Sequence, residues 1–233
     1  MKNKLALLSG ILCIGLVIAF IFYTGKDNQK KEGYTTTGFA MGTAVTVSVY
    51  SDQGRQDADA VINCVSRLER EQISWRIEGS EVYRVNHEYK AGEPYEISYD
   101  LAYAVLQERK VSEAGDDLLA LTIRPLASCW GIEDGKKQVP ETQKIEEACS
   151  AVDDSKVHIV DEQGKELTQV SDLSENGTWY VLFDEAGLSL DFGAMGKGIA
   201  CDRVAENLEE NQVEGACVAV GGSVLCYGTK PDG

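Results

Sequence analysis

The stretch LSLDFGAMGKGIACD, Leu188 to Asp202, gathers the residue types with which a protein holds an anion. An apolar run, Leu188 to Phe192, enters a glycine cluster at Gly193, Gly196 and Gly198. Apolar residues at helical spacing follow, at Ile199, Ala200, Val204, Ala205 and Leu208. Glycines at a strand-to-helix turn let the main chain approach a ligand closely, and the first N–H groups of the helix point at whatever anion sits there. Lys197 adds a mobile positive charge, so the stretch is a candidate phosphate-binding element. Two familiar forms of such an element are excluded by spacing. A GxxxxGK[ST] loop would need glycine at Asp191 and Ser or Thr at Gly198, and the dinucleotide fingerprint GxGxxG is replaced here by GxxGxG. A tight turn and helix start without any ligand is the other reading, and the stretch alone does not choose between them.

The elements that must position these residues are legible from periodicity. Thr43 to Tyr50 alternates Val45, Val47 and Val49 with Thr46 and Ser48, which predicts a half-buried strand. From Asp57 to Glu71, Ala58, Val61, Cys64, Val65 and Leu68 trace one helical face. Ser98 or Asp100 caps a second helix to Ala114, with Leu101, Val105, Leu106 and Val111 inward and Gly115 after its end. Pro140 to Ala151 reads as a short amphipathic helix. Lys156–Val160, Thr178–Phe183 and Leu188–Phe192 read as short strands, with a hairpin loop and insertion over Asp161–Gly177. The helix opened by the glycine cluster runs to Gln212, and Cys217–Val220 and Val224–Tyr227 are the last strands, broken at Gly221-Gly222. Strands and helices that do not alternate regularly predict an α+β fold with packed helices on a mostly antiparallel sheet.

Composition narrows the function classes. A net charge of −16 repels phosphate backbones, which argues against nucleic-acid partners. Leu5 to Tyr23 is an uncharged apolar run after Lys2 and Lys4, long enough to span a bilayer and also compatible with a signal peptide. The expected organisation is an anchor or signal segment over residues 1–24, a polar linker over 25–33, and one domain over 34–233 on the extracytoplasmic side. Of seven cysteines, Cys13 lies in the apolar run. The others form no CxxC pair and have no histidine at ligand spacing, which argues against zinc. Cys64, Cys201, Cys217 and Cys226 are expected as small buried hydrophobes, and the sequence assigns no disulfide. His87 and His158 sit among charged residues, with no serine or cysteine arranged as a nucleophile.

Four separated motifs, in order, carry a resemblance. FAMGT (Phe39–Thr43), SWRIEGSEVYRVN (Ser74–Asn86), TIRPLASCWG (Thr122–Gly131) and DFGAMGKGIACD followed by VAVGGSVLCYG resemble the ApbE family, the FAD:protein FMN transferases. The resemblance runs from Phe39 to Gly233. It implies an enzyme that binds FAD and a divalent cation, usually magnesium, moves FMN onto a threonine hydroxyl of an acceptor flavoprotein, and releases AMP. The acceptors it implies are subunits of membrane redox systems. It assigns Met41, Trp75, Asp191 and Lys197 to cofactor contact and the Ala194 main-chain carbonyl to the metal. A carbonyl oxygen suits a hard cation, and a tryptophan face suits a flat ring. One departure stands inside the matched region. Where the family has an aspartate in the FAD site, two residues before Thr122, this chain has Ala120, with Asp116 and Asp117 nearby to compensate. The resemblance also leads one to expect further strands, and an aspartate and a threonine that complete the metal site, past Gly233. A flavin-binding or scaffold protein without catalysis is the alternative.

Overall fold

Valines on alternate positions give β2 one oily face, and the first of two sheets is built around it. The computed structural model describes residues 33–231, except 117, 133, 134, 136–138 and 175. Its strands are β1 (Tyr34–Ala40), β2 (Thr43–Tyr50), β3 (Tyr95–Ile97), β4 (Val157–Asp161), β5 (Glu166–Leu167), β6 (Trp179–Phe183), β7 (Gly215–Val220) and β8 (Ser223–Gly228). Its helices are α1 (Gly54–Arg67), continued by a π-helical turn (Leu68–Ile73), then α2 (Glu81–Glu88), α3 (Tyr99–Ala114), α4 (Arg124–Cys129), α5 (Thr142–Ser150) and α6 (Gly196–Glu210). The strands form two separate four-stranded sheets, β1-β2-β7-β8 and β3-β6-β4-β5, with every neighbouring pair antiparallel. The α+β class holds, with two sheets in place of one.

The inward faces follow the side-chain period. Val45, Val47 and Val49 of β2 and Val218 and Val220 of β7 are fully buried against α1 and α6. Helix α3 is buried on all sides over Leu101–Leu106, because it packs on β4 and β6 of the second sheet and also meets α6. There the Tyr103 hydroxyl donates to Asp202 at 3.1 Å, and the Arg203 guanidinium lies 3.8 Å from the Tyr103 ring centre.

Several expectations are corrected. Val111 is 42% exposed, and Glu108 and Ser112 take the inward positions instead, because α3 turns its buried face as it leaves the helix pair. Gly115 follows α3 as expected, but Asp116 carries the left-handed backbone, φ 55°. Cys217 and Cys226 are exposed, on the outer face of the first sheet. Leu188–Phe192 is buried but joins no ladder. The apolar run at Leu5–Tyr23 lies outside the described residues, and among those described no helix is long and apolar enough to cross a membrane.

Candidate functional site

Chain direction brings the motifs to one end of the first sheet. β2 starts there, at Thr43, and α1 runs back beside it, so the π-helical turn returns to the same end. α6 and β7 are joined by a short loop and run in opposite senses, so the start of α6 lies beside the Gly221-Gly222 tip of the β7–β8 hairpin. Local contacts confirm the convergence. The Met41 N–H donates to Glu69 of the π-helical turn at 2.6 Å. A Cβ added to Gly196 would lie 3.1 Å from Ile73 Cδ1, and the Gly221 N–H donates to the Ala44 carbonyl at 3.0 Å.

Met41 sits in the two-residue turn between β1 and β2. With φ 52° at Met41 and 67° at Gly42, the turn has the left-handed geometry that hairpins favour and that non-glycine residues resist. The π-helical turn places Leu68 and Ile73 inward, five positions apart, and delivers Ser74-Trp75 to the site.

The SEVxxxN segment fixes the surroundings. The Ser80 side chain caps α2 by accepting from the Tyr83 N–H at 3.1 Å, and its hydroxyl donates to the Ser74 carbonyl. Glu81 is buried and accepts from the N–H and hydroxyl of Ser98, the cap of α3; burial, its largest influence, raises its carboxyl above the usual range. Asn86 substitutes for a neighbouring strand: it donates to the Leu190 carbonyl at 2.9 Å and accepts from the Leu190 N–H at 2.8 Å. The Asp191 N–H donates to the Leu121 carbonyl at 2.8 Å. These bonds satisfy a buried segment that no ladder supports.

Asp191 is 8% exposed, and its Oδ1 accepts from the Gly193 N–H at 2.7 Å, which shapes the loop into α6. Gly193 and Ala194 are exposed, and nothing lies within 4 Å of where a Gly198 Cβ would stand. α6 has no side-chain cap, and the N–H groups of Lys197 and Gly198 have no partner among the described residues. The Lys197 side chain likewise makes no hydrogen bond or ion pair there. Such an open helix start with a lysine on its first turn fits a phosphate group.

Trp75 is half-buried, and the Arg124 guanidinium lies 3.2 Å from its ring centre, with Arg76 at 4.4 Å. A flat ring stacking on Trp75 therefore meets cations already there. Arg124 opens α4, and its TIRP turn is held by Asp154, which accepts from the N–H groups of Leu121 at 2.7 Å and Thr122 at 2.8 Å and from the Thr122 hydroxyl at 2.6 Å. Ala120 carries no side-chain acceptor, Asp117 lies outside the described residues, and the carboxylates around the adjoining segment are the half-buried Asp154 and the buried Asp191 and Glu108. Glu108, 1% exposed, has no hydrogen-bond partner on either oxygen; burial, then the charges of Asp154 and Asp191, push its carboxyl up to about 8. Sequence reasoning missed Arg124, Asp154 and Glu108. A groove of about 1110 Å³ bordered by Arg67, Arg70, Ile77 and Arg84 runs nearby, and none of Met41, Trp75, Asp191 or Lys197 lines it.

For a divalent cation, the exposed Ala194 carbonyl accepts no main-chain hydrogen bond. Among the described residues no three His, Cys, Asp or Glu side chains group as ligands. One main-chain carbonyl is thus the donor identified here, and a hard cation held there would need its other oxygens from phosphates and water.

An α+β scaffold here carries an aromatic face, an uncapped helix start and a lysine without an ion pair among the described residues. Residues 41–233 match the ApbE family, and the chain belongs to it. The fold is similar to that of the apo flavinyl transferase ApbE of Pseudomonas stutzeri, with a TM-score of 0.71 and 22% identity over 88% of this chain and 64% of that one. The ApbE protein of Thermotoga maritima superposes with a TM-score of 0.68 and 24% identity, covering 85% and 60%. The FAD:protein FMN transferase of Klebsiella pneumoniae is 28% identical over 84% of this chain and 56% of its own length. That of Haemophilus influenzae is 21% identical over 97% and 62%. The chain thus spans less than two thirds of the length of these relatives.

Proposed function

We propose that this chain carries the flavin-nucleotide site of a FAD:protein FMN transferase. The observation that carries the reading is the open start of α6, where the Lys197 and Gly198 N–H groups have no partner among the described residues and Asp191 shapes the loop before them. In the proposed reaction a threonine hydroxyl oxygen of an acceptor flavoprotein attacks the FMN phosphorus of FAD. The bond from that phosphorus to the bridging oxygen breaks, AMP leaves with the oxygen, and the hydroxyl proton passes to solvent.

In this reading Trp75 and Met41 hold the isoalloxazine ring, and the helix start and Lys197 hold the pyrophosphate, where negative charge builds as the bond breaks. Asp191 sets the loop that presents Gly193 and Ala194. A magnesium ion at the Ala194 carbonyl would supply further charge neutralisation at the pyrophosphate. The apolar run at Leu5–Tyr23 supports a membrane-anchored protein facing the extracytoplasmic side, and with it an acceptor that is a subunit of a membrane redox system. Ala120, which gives the cofactor site no side-chain acceptor where the family has an aspartate, favours the alternative of flavin binding without transfer.

The test incubates the full chain with FAD, magnesium and a threonine-containing acceptor domain, and scores acceptor mass and AMP together. The expected result is a mass gain equal to FMN matched by AMP. Bound FAD with no gain in acceptor mass would select the binding-only alternative.

A further inference from the structure

Cys217 and Cys226 stand directly opposite each other on β7 and β8. Their place in the ladder follows from the turn. Val220 and Ser223 flank Gly221-Gly222 as the first hydrogen-bonded pair, so pairs alternate outward: Ala219 with Val224 non-bonded, Val218 with Leu225 bonded, Cys217 with Cys226 non-bonded. The far end agrees with that phase, since the Thr229 N–H donates to the Glu214 carbonyl at 3.1 Å. A non-bonded pair has Cα atoms about 4.5 Å apart and its side chains drawn together. A disulfide spans roughly 4.4–6.8 Å between Cα atoms, so neither strand need move.

Both cysteines are exposed on the outer face of the sheet, in one row with Ser48 and Thr35. Burial and the neighbouring Cys226 thiol raise the Cys217 thiol above its usual range, in keeping with two sulfurs side by side. Among the described cysteines no other two are ladder partners. Cys64 and Cys201 are half-buried on α1 and α6, Cys129 donates to the Lys144 carbonyl at 3.6 Å, and Cys149 stands exposed on α5.

We propose that Cys217 and Cys226 are a cross-strand dithiol, a modification site that closes to a disulfide by exchange with a low-molecular-weight or protein disulfide. One thiolate attacks the oxidant's S–S bond and expels one thiolate. The second cysteine then attacks the mixed disulfide and expels the other. The pair loses two electrons and two protons, and the oxidant gains them as two thiols. The closed bridge staples β8 to β7 and fixes the hairpin whose tip bonds Ala44 beside the Met41 turn. This assignment stands apart from flavin transfer and does not rest on it.

The experiment treats the reduced full chain with oxidised glutathione, alkylates the remaining thiols, and weighs the tryptic peptide that begins at Val204 and holds both cysteines. The expected peptide is lighter by two hydrogens, unalkylated at both sites, and restored by reductant. Cys226→Ser keeps glutathione on Cys217 instead, for want of a second thiol to expel it. The oxidised chain melts at a higher temperature than the reduced one, and the double serine variant shows no such difference. Alkylation of both cysteines after oxidation, glutathione on each, or bridging to another cysteine or another copy would overturn the assignment.

Discussion

Asn86 takes the place of a missing strand, since both of its amide atoms bond the main chain of Leu190, a fully buried residue. Asn86→Ala leaves two buried main-chain groups unpaired, and the expected loss in urea unfolding is about 2–4 kcal/mol. Glu108 gives a pH signature. The folded chain keeps its carboxyl protonated up to about 8, whereas the unfolded chain releases that proton near the ordinary glutamate value, about 4.3. The folded state binds the extra proton between those values, so this group's contribution is intact below about pH 4.3 and is lost as pH rises through about 8. Glu108→Gln should flatten the decline and leave the variant more stable than the parent above about pH 8. Stability curves that run parallel across that range would show that Glu108 does not titrate as stated. Asp191, Lys197 and Trp75 could be named as candidates from the sequence because glycines or a motif marked them. Glu108 was not, since a glutamate between Gln107 and Arg109 reads as a solvated helix face, and only packing on both sides of α3 buries it. Asp154, in an acidic turn, gave no local sign that it clamps Leu121 and Thr122.

At the scale of elements, the period-two and helical patterns located β2, α1, α3, α6, β7 and β8 to within a few residues. The helix Glu81–Glu88 and the short elements Tyr95–Ile97, Arg124–Cys129 and Glu166–Leu167 escaped them, and so did three features with a clear physical reason. The π-helical turn has no composition of its own; it appears where Leu68 and Ile73 must both face inward. β1, with Thr35, Thr36, Thr37 and Gly38, has little apolar alternation to betray a strand. Leu188–Phe192 has the pattern of a strand, and its partners are a side chain and a loop. The β1–β2 turn offers a test at this scale. Met41 holds a left-handed backbone that asparagine adopts more readily, so Met41→Asn should stabilise the hairpin by about 0.5–1 kcal/mol in denaturant unfolding. The Glu69 bond to the main-chain N–H survives that change, so a loss of stability would mean that the Met41 side chain, and not the turn, sets the balance.

Over the whole molecule, a chain of net charge −16 concentrates Arg76, Arg124, Lys197 and an uncapped helix start at one end of its first sheet. That placement, in a member of the ApbE family, points to an anionic ligand with a flat ring. The most direct measurement is the dissociation constant of the full chain for FAD and for riboflavin, which has the ring without phosphates, repeated with Lys197→Ala. A charge-assisted hydrogen bond contributes about 1.5–3 kcal/mol. The account therefore predicts FAD binding weakened about tenfold or more by the substitution, with riboflavin binding unchanged. Equal FAD binding by both proteins, or riboflavin weakened to the same extent, would contradict a pyrophosphate seat at the start of α6.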